Sequence, residues 1–506
     1  MSAASAQEPA HGHHSNLPHR THDVHPNVIL AVLCVAGLAY SVLSSAVIPA
    51  LPTFQHALHT SETGATWLLT AFLLSASVGT SVIGRLGDMY GKEKLLLWTL
   101  LILAFGTLLA ALSNSLGMLI VARVIQGVAG GIFPLAFSIA RDEFPRDRVA
   151  GSIGLMSSIL GVGGGLGLVL GAVISEHLGW HWLFWLPMIV IAGAAVATWA
   201  LVPESPVRVP GRINWVAALL MTVGICGALV AISETTVWGW GSVRTLGLLA
   251  AGLAVCVVWI AVEVRSSVPL VDMAMMRIRG VWTTNAAAFL LGAGMYSSFI
   301  IIPEFAQLPR STGFGFGASV VDTGLYLLPT TITMMLMSLT TGALAARYGS
   351  RLTLLVGSIV STIAFALLVV AHHHPVDVLV SAGLIGAGLG LAFAALGNLI
   401  VIAVPTHQTG VASGMNTVMR TLGGAVGAQV SATFIAAHVS HGLPTVTGFT
   451  ESFVLATVVM LVGVGSVLLV PGGRRAAAPD GEPRVSQPPR PALAGTADGA
   501  AEQSQR

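Results

Sequence analysis

The fold of this chain is decided by one short polar stretch, Gly84-Arg85-Leu86-Gly87-Asp88-Met89-Tyr90-Gly91-Lys92-Glu93-Lys94. It lies between two apolar segments, residues 64–84 and 95–113, each long enough to cross a bilayer. So short a connection predicts a loop at the membrane surface. Its basic residues predict the cytoplasmic surface, because Lys and Arg are retained on that side. Its glycines allow tight turns, and Asp88 is expected to accept from backbone N–H groups at a helix end or to pair with a cation.

The composition indicates the same environment. Of 506 residues, 54% are hydrophobic and only 9% are charged, with a mean hydropathy of +0.83. Soluble domains carry about 25% charged residues, so a water-soluble globule is excluded. The net charge is +2 and no basic patch with interleaved aromatic residues is present, so we expect no nucleic-acid partner. Cys34, Cys226 and Cys256 all lie in apolar segments and are interpreted as small core residues, not as disulfides or metal ligands.

Apolar segments of spanning length recur along the chain. We predict fourteen spans, at residues 28–50, 64–84, 95–113, 116–140, 149–174, 181–201, 213–233, 244–264, 281–303, 318–342, 352–371, 376–404, 409–437 and 450–470. The His-rich segment 1–27 and the Pro-, Gly- and Ala-rich segment 472–506 are predicted to be disordered tails. Most of the 23 Lys and Arg residues fall in the tails and in connections on one side, which predicts that both termini are cytoplasmic.

A weaker second copy of the motif divides the chain into two halves. Gly342-Ala343-Leu344-Ala345-Ala346-Arg347-Tyr348-Gly349-Ser350-Arg351 follows the second span of a later six-span group, with Ala346 in the place of Asp88. We therefore predict a six-helix bundle at 28–201, two linking helices at 202–280 and a second six-helix bundle at 281–471. Parallel halves related by an axis along the membrane normal are the simplest organisation.

The motif resembles the one between the second and third helices of the major facilitator superfamily, Gly-x-Leu-Ala-Asp-x-x-Gly-Arg-Lys, with Gly87 in place of Ala. The segments Trp67-Leu68-Leu69-Thr70-Ala71-Phe72 and Trp180-His181-Trp182-Leu183-Phe184 are similar to those of its drug:proton antiporter branch with fourteen helices. The resemblance covers about residues 28–470. It implies an all-α membrane fold, no cofactor beyond a proton gradient, and a switch loop that favours one conformation. The switch residues are Gly84, Arg85, Gly87, Asp88, Gly91, Lys92 and Lys94.

Arg123 is predicted to lie about one turn inside the fourth span. An arginine in hydrocarbon costs about 2.5–3.5 kcal/mol on insertion scales, so it is expected to face a cavity or a partner. Snorkelling to the outer surface is the alternative. Arg-x-x-Gln-Gly resembles the superfamily's fourth-helix motif, which implies that Arg123 and Gln126 take part in proton handling. The second half has Ala382 at the matching position.

Three glycines in the fifth span, Gly163, Gly167 and Gly171, recur every four residues and so share one helix face. Small residues at this spacing let two helices approach closely. The run resembles the antiporter motif Gly-x-x-x-Gly-Pro-x-x-Gly-Gly, with Leu168 where Pro is usual and Ala172 where the last Gly is usual. Helix contact is expected to survive these changes, whereas the kink that a proline would cause is not expected.

One acidic residue of that branch is missing. Its members usually carry an Asp in the first span, and here Leu43 stands at that position. A buried carboxylate is a natural proton carrier, so the remaining candidates are Glu304, Asp322 and Glu234. Each of the three is alternatively a solvated acid at the membrane interface.

The predicted function is export of amphiphilic drug-like organic compounds in exchange for protons, across a bacterial cytoplasmic membrane, by a monomer. Phe289, Met295 and Met334 could provide a deformable apolar cavity lining, with lipid-facing packing as the alternative. Arg420 could bind an anionic group or pair with a lipid phosphate. A second hypothesis is export of one endogenous metabolite, or proton-independent movement of an anion, with Arg123 and Arg420 as counter-charges. We find no pattern of residues that indicates an enzyme or a nucleotide-binding domain.

Overall fold

The computed structural model describes residues 24–204, 214–440 and 443–471, and it is almost entirely helical there. The predicted tails lie outside this part of the chain, apart from residues 24–27. The only strands in the described ranges are β1 (Val439–Ser440) and β2 (Leu443–Pro444), which pair antiparallel. The fold is therefore built from helices and short connections.

The first group of helices contains six membrane-length segments, one of which is interrupted by a 3₁₀ turn at Ala129–Gly131. Its elements are α1 (Pro26–Ser45), α2 (Leu51–Ala57), α3 (Glu62–Tyr90), α4 (Lys92–Ala111), α5 (Leu116–Val128), α6 (Ile132–Glu143), α7 (Arg146–His177) and α8 (Trp182–Leu201). Ser61 and Ser115 begin α3 and α5 by accepting hydrogen bonds from the N–H groups of Gly64 and Met118. The polar residues between apolar segments thus mark helix starts.

A pair of long helices follows, and then a second group of six. The linking elements are α9 (Trp215–Ser233), α10 (Thr235–Trp238), α11 (Val243–Arg265) and α12 (Met273–Arg277). The second group is α13 (Arg279–Gln307), α14 (Val320–Tyr348), α15 (Ser350–Val370), α16 (Pro375–Ile402), α17 (Thr409–Ala437) and α18 (Val446–Leu469). Short 3₁₀ turns at Arg310–Thr312 and Thr406–Gln408 precede α14 and α17.

Thirteen segments in the described ranges are helices long and apolar enough to cross a membrane, with α5 and α6 counted as one. The remaining predicted span, residues 409–437, is the 29-residue helix α17, whose glycines, hydroxyl residues, Asn416 and Arg420 make it less apolar. The prediction of an all-helical membrane protein with two groups of six helices and an intervening pair is confirmed.

The two halves meet along two seams. At one seam α3 of the first half packs against α17 of the second, and at the other α7 packs against α14 and α16. The linking hairpin, α9 and α11, lies beside the first seam. The Cys226 thiol of α9 approaches the carbonyl of Leu74 on α3 at 4.0 Å, and the Trp240 indole donates to Thr433 on α17 at 2.7 Å. The hairpin therefore contacts both halves.

Candidate functional site

The motif that suggested a loop is two helix ends joined by one residue. α3 continues to Tyr90 and α4 begins at Lys92, so only Gly91 lies between them. The prediction of a surface loop across residues 84–94 was wrong. Helical backbone satisfies its own N–H and C=O groups, which favours continuing the helix to the edge of the apolar layer. Gly91 has φ +114°, and a Cβ there would lie 2.3 Å from the Glu204 carboxylate, so a glycine is required for both reasons.

Asp88 is buried at the seam between the halves. It is 2% exposed, although it belongs to a motif with three basic residues. Its carboxylate faces the N-terminus of α17 and lies beside Gly410, although neither of its oxygens makes a hydrogen bond with a described residue. The first N–H groups of a helix have no partner within it and carry partial positive charge, so they favour an anion there. Asp88 of the first half thus stabilises the start of a helix in the second half.

Glycines permit this approach of the two backbones. A Cβ at Gly84 would lie 2.7 Å from the carbonyl oxygen of Gly410, and a Cβ at Gly410 would lie 2.6 Å from that of Gly84. A Cβ at Gly87 would meet the side chain of Leu135 on α6 at 2.2 Å. We call this region, where residues 84–94 meet the start of α17, the motif end of the bundle.

The two lysines of the motif behave differently. Lys92 is 1% exposed and forms an ion pair with Asp142 at the end of α6, whose side chain is 2% exposed. Lys94 is 62% exposed and lies 4.0 Å from Glu204. A buried pair leaves an uncompensated charge when one partner is removed, whereas an exposed pair contributes little. Lys92 is therefore a structural residue that fixes α4 to α6.

Arg141 is a second link across the motif end, and the sequence analysis did not single it out. Its guanidinium, on α6, donates to the carbonyl oxygens of Val401 at 2.7 Å and Val404 at 3.0 Å, and to the Thr409 hydroxyl at 2.6 Å. These acceptors lie at the end of α16 and the start of α17, where carbonyls lack helical partners. In the sequence, Arg141 is one of many basic residues that mark the end of a span. Its position next to the acidic Asp142 is the one further signal of a structural role.

A third group of polar contacts lies between α11 and α12, in residues 263–272, which lead back to the motif end and which we call the return segment. Glu263 on α11 is 2% exposed and accepts from the Trp259 indole at 3.1 Å and from the N–H groups of Leu270 at 2.9 Å and Val271 at 3.1 Å. The next residue, Asp272, accepts from Gln408 at 3.2 Å. The return segment is thus held against the start of α17. An acidic residue near the end of the otherwise apolar span 244–264 was the signal for Glu263.

This return segment and Arg85 enclose a small cavity of about 90 Å³ at the motif end. Its lining residues are Arg85, Pro269, Leu270, Asp272, Met275, Gln408 and Val411. The Arg85 Nε is buried without a hydrogen-bond acceptor among the described residues. The motif residues therefore contact the second half, the first half and the linking segment at once.

Arg123 is completely buried and does not snorkel. It donates to the carbonyls of Leu68 at 2.9 Å, Leu43 at 3.3 Å and Ser44 at 3.4 Å, and to the Gln126 side chain at 2.9 Å. Its guanidinium also lies over the Phe72 ring, 4.1 Å from the centroid. Leu43, which replaces the usual acid, therefore still provides an acceptor for Arg123, through its backbone. Arg123 and Gln126 join α1, α3 and α5, and Gln126 extends the network to Thr107 on α4.

The three antiporter-motif glycines all face α1. A Cβ at Gly163 would meet Ser41, one at Gly167 would meet Val42 and Ser45, and one at Gly171 would lie 2.2 Å from the carbonyl of Ala46. α7 is one continuous helix through this region, without a proline. Other glycines on α7 face the second half instead, so α7 is closely packed on two sides.

The predicted cavity residues of the second half separate into two sets. Met295 and Met334 are buried and converge on Gly161 of α7, where a Cβ would lie within 3.6 Å of both sulfur atoms. Phe289 is partly buried, and its carbonyl lies against Gly423 of α17. Arg420 is 6% exposed, with its guanidinium over the Phe393 ring. The two methionines and Gly161 thus belong to the second seam, and Arg420 lies inside the second half.

The three candidate proton carriers occupy different environments. Glu304 lies within α13, half-buried, one residue after Pro303. Asp322 is exposed and forms a capping box with Ser319 at the start of α14, which accounts for its position as a helix cap. Glu234 is 8% exposed at the end of α9. Of the three, Glu304 alone is half-buried in a helix of either six-helix group, in the last turn of α13.

No cluster of three or more metal-binding side chains occurs in the described part of the chain. Two groups of six membrane-length helices that meet along two seams, with buried charges at their contact, define a polytopic membrane transporter. The chain belongs to the Major Facilitator Superfamily, whose model matches residues 33–428 and 285–495.

Its relatives lie in the drug-efflux branch of that superfamily, as predicted. Multidrug resistance protein Stp of Mycobacterium tuberculosis is 27% identical over 397 residues, covering 78% of this chain and 73% of the relative. The tetracenomycin C resistance and export protein of Streptomyces glaucescens is 26% identical, covering 82% and 77%. Multidrug resistance protein 3 of Bacillus subtilis is 26% identical, covering 72% and 71%. A solved structure, the human organic anion transporter MFSD10 (TETRAN), has a TM-score of 0.62 at 15% identity, covering 87% of this chain and 99% of that one, which supports the fold.

Proposed function

We propose that this transporter exports amphiphilic drug-like organic compounds in exchange for protons, by alternating access across a bacterial cytoplasmic membrane. In this proposal the motif end, which carries Arg85, Lys92, Lys94 and Arg141, lies on the cytoplasmic side, and both termini are on that side too. The names of the bacterial relatives, which include multidrug resistance and tetracenomycin C export, support the substrate class. We also propose that the protein works as a monomer, with the two six-helix groups as the units that move.

One observation carries the proposal: Asp88 and Gly84 join the first half to the start of α17. Opening the motif end requires α3 and α17 to separate there. A carboxylate at a helix N-terminus stabilises the conformation in which the two are in contact by about 0.3–2 kcal/mol. Since 1.4 kcal/mol is a factor of ten in an equilibrium, this contact favours the closed motif end without making it permanent. That is the strength a reversible switch requires.

Glu304 is the proposed proton carrier. It is the half-buried acid within a helix of the second half, and no hydrogen bond or ion pair of its carboxylate is seen among the described residues. Asp322 is engaged in a helix cap, and Glu234 lies on the linking pair instead of in either half. Arg123 and Gln126 are proposed to position α1 against α3 and α5, because the acceptors of Arg123 are backbone carbonyls of α1 and α3.

The test uses purified full-length protein in liposomes, with the membrane potential clamped by potassium and valinomycin and a pH gradient imposed. Two dyes of one ring system are compared: rhodamine 123, a cation, and fluorescein, an anion. We expect movement of at least one dye to follow the gradient and Glu304→Gln to abolish that dependence. Movement of neither dye, or movement indifferent to the gradient, would contradict the proposed exchange.

Asp88→Asn tests the switch. We expect at least a tenfold loss of transport at unchanged membrane insertion. The neutral amide is bound less well at the start of α17, so the equilibrium between the closed and the open motif end shifts away from the closed state. Asp377→Asn is the matched control, since Asp377 is a partly exposed helix-capping acid at the start of α16. Normal transport by Asp88→Asn, or an equal loss in the control, would refute the switch role.

A further inference from the structure

Two arginines are buried deep in this protein, one in each half, and their surroundings differ. Arg123 donates four hydrogen bonds, to three backbone carbonyls and to the Gln126 side chain. Arg420 is 94% buried, yet its guanidinium makes no hydrogen bond or ion pair with any residue that the structure describes. A cation buried in a membrane protein normally faces a counter-charge, a carbonyl or a ligand. The Arg420 guanidinium therefore lacks the hydrogen-bond acceptors that the Arg123 guanidinium has among the described residues.

Arg420 lies near the middle of the membrane. It is the twelfth residue of the 29-residue helix α17, which places it about 17 Å from the start of that helix at 1.5 Å per residue. The hydrocarbon core is about 30 Å thick. A Cβ on Gly292 of α13 would lie 2.2 Å from the Arg420 carbonyl and 3.0 Å from its Cγ. Gly292 thus leaves the space through which the side chain passes between α13 and α16.

One aromatic ring lies against the guanidinium and a second lies nearby. The guanidinium carbon lies 5.1 Å from the centre of the Phe393 ring on α16, and the Tyr296 ring, one turn after Gly292, lies against Gly424, one turn after Arg420 on α17. Tyr296 in turn contacts Phe299, with ring centres 6.0 Å apart. Arg420 therefore lies beside a cluster of aromatic side chains in the second half.

No acid among the described residues forms an ion pair with either of these two cations. The buried carboxylates Asp88, Asp142 and Glu263 lie at the motif end, Glu234 lies on the linking pair, and the half-buried Glu304 lies in the last turn of α13. The middle of the protein is thus positively charged, with flat apolar surfaces beside the charge.

We propose that Arg420 binds the anionic group of the substrate, and that the exported compounds are aromatic organic anions whose rings lie against Tyr296. This inference rests on the proposed export function and adds the charge of the substrate to it. The guanidinium can bind a carboxylate or phenolate through two parallel hydrogen bonds, while its own face remains over Phe393.

The experiment compares fluorescein and rhodamine 123 in the same liposomes, with each dye quantified by chromatography because fluorescein emission depends on pH. For the wild type, we expect faster transport of fluorescein than of rhodamine 123. Arg420→Gln should lower fluorescein transport about tenfold or more, since a hydrogen-bonded charge partner is lost. It should leave rhodamine 123 transport unchanged or raised. Arg420→Lys should keep part of the preference, because it retains the charge. Arg244→Gln, at an exposed arginine of α11, is the control.

The outcomes separate the two proposals. Transport of rhodamine 123 but not of fluorescein would overturn the anion inference and leave export intact. An equal loss of both dyes in Arg420→Gln, or a loss of neither, would also overturn it. If Arg420→Gln does not accumulate, the wild type still decides: fluorescein must raise its thermal-unfolding midpoint, and rhodamine 123 at the same concentration must not. Absence of that difference would overturn the inference, whereas failure to move either dye refutes export itself.

Discussion

The two copies of the motif have the same backbone and different chemistry. Residues 84–94 and residues 342–351 each contain a helix end, a single glycine with positive φ, and the start of the next helix. The φ angles are +114° at Gly91 and +87° at Gly349. Asp88 is buried in the first copy, whereas its counterpart Ala346 is exposed in the second. The turn between two helices therefore does not depend on the carboxylate, and the acid has a separate role.

The same difference appears one position after the glycine. Lys92 begins α4 and forms a buried ion pair with Asp142 of α6. Its counterpart Ser350 begins α15 and accepts a hydrogen bond from Asn398 of α16. Corresponding helices are joined in both halves, by charges in one and by neutral groups in the other. Charge is concentrated in the half that also carries Asp88.

Contacts between the halves follow this pattern. At the first seam, Gly84 and Gly410 each leave no room for a Cβ on the other. At the second, a Cβ on Gly342 would lie 2.8 Å from the Cα of Gly151, but one on Gly151 would lie 3.9 Å from Gly342. At these paired glycines the first seam excludes a side chain in both directions, and the first seam also carries the charged residues Asp88 and Arg141. This comparison teaches that a repeated backbone can carry a switch in only one of its copies.

The largest expected effect comes from breaking the charged pair of the first copy. Asp142→Asn should lower the stability by about 3–5 kcal/mol, because it leaves Lys92 buried without its counter-charge. Unfolding of the purified protein in one detergent measures this. Lys92→Met combined with Asp142→Leu should recover most of the loss, since apolar groups can replace a buried pair. A loss below about 1 kcal/mol in Asp142→Asn would mean that the pair is not buried as described.

An intermediate effect is expected at the seams. Gly410→Ala should lower stability by about 1–3 kcal/mol through overpacking against Gly84 and the Asp88 carboxylate, and it should impair transport. Gly151→Ala should be nearly neutral, because its Cβ makes only an ordinary contact with Gly342. Thermal unfolding and dye transport measured on both variants test the asymmetry, and equal effects of the two substitutions would remove it.

The smallest effect is expected in the neutral copy. Asn398→Ala removes the hydrogen bond to Ser350 and should lower stability by about 0.5–1.5 kcal/mol. The same unfolding assay compares it with Asp142→Asn. If Asn398→Ala proved as destabilising as Asp142→Asn, the contrast between a charged and a neutral half would be wrong.

Much of the fold could be predicted from the sequence, because membrane spans are long apolar runs and basic residues mark their ends. The spacing of Gly163, Gly167 and Gly171 indicated a contact face, and the structure places α1 against it. The length of α3 could not be predicted in this way. The polarity of Arg85 and Asp88 favours a loop. However, polar residues also occur where one helix packs against another, and the sequence does not distinguish these two cases.

The candidate site was predicted less completely, because its partners are distant in sequence. Asp88 was recognised, but its position beside Gly410 and Val411 depends on how two halves pack. Arg141 carries no local signal of binding the end of α16, since basic residues at span ends are expected for topology alone. The role of Leu43 could not be seen from its side chain, because it acts through its carbonyl.

The linking hairpin has a consequence for lipids. Since α9 contacts α3 and Trp240 contacts Thr433 on α17, the hairpin covers the first seam from the outside. No comparable pair of helices covers α7 and α14 in the described ranges. A lipid, or an amphiphile dissolved in the bilayer, therefore meets two unequal sides of the protein: one shielded, the other open to lateral approach. The hairpin therefore makes the two lipid-facing sides of the two-fold bundle different from each other.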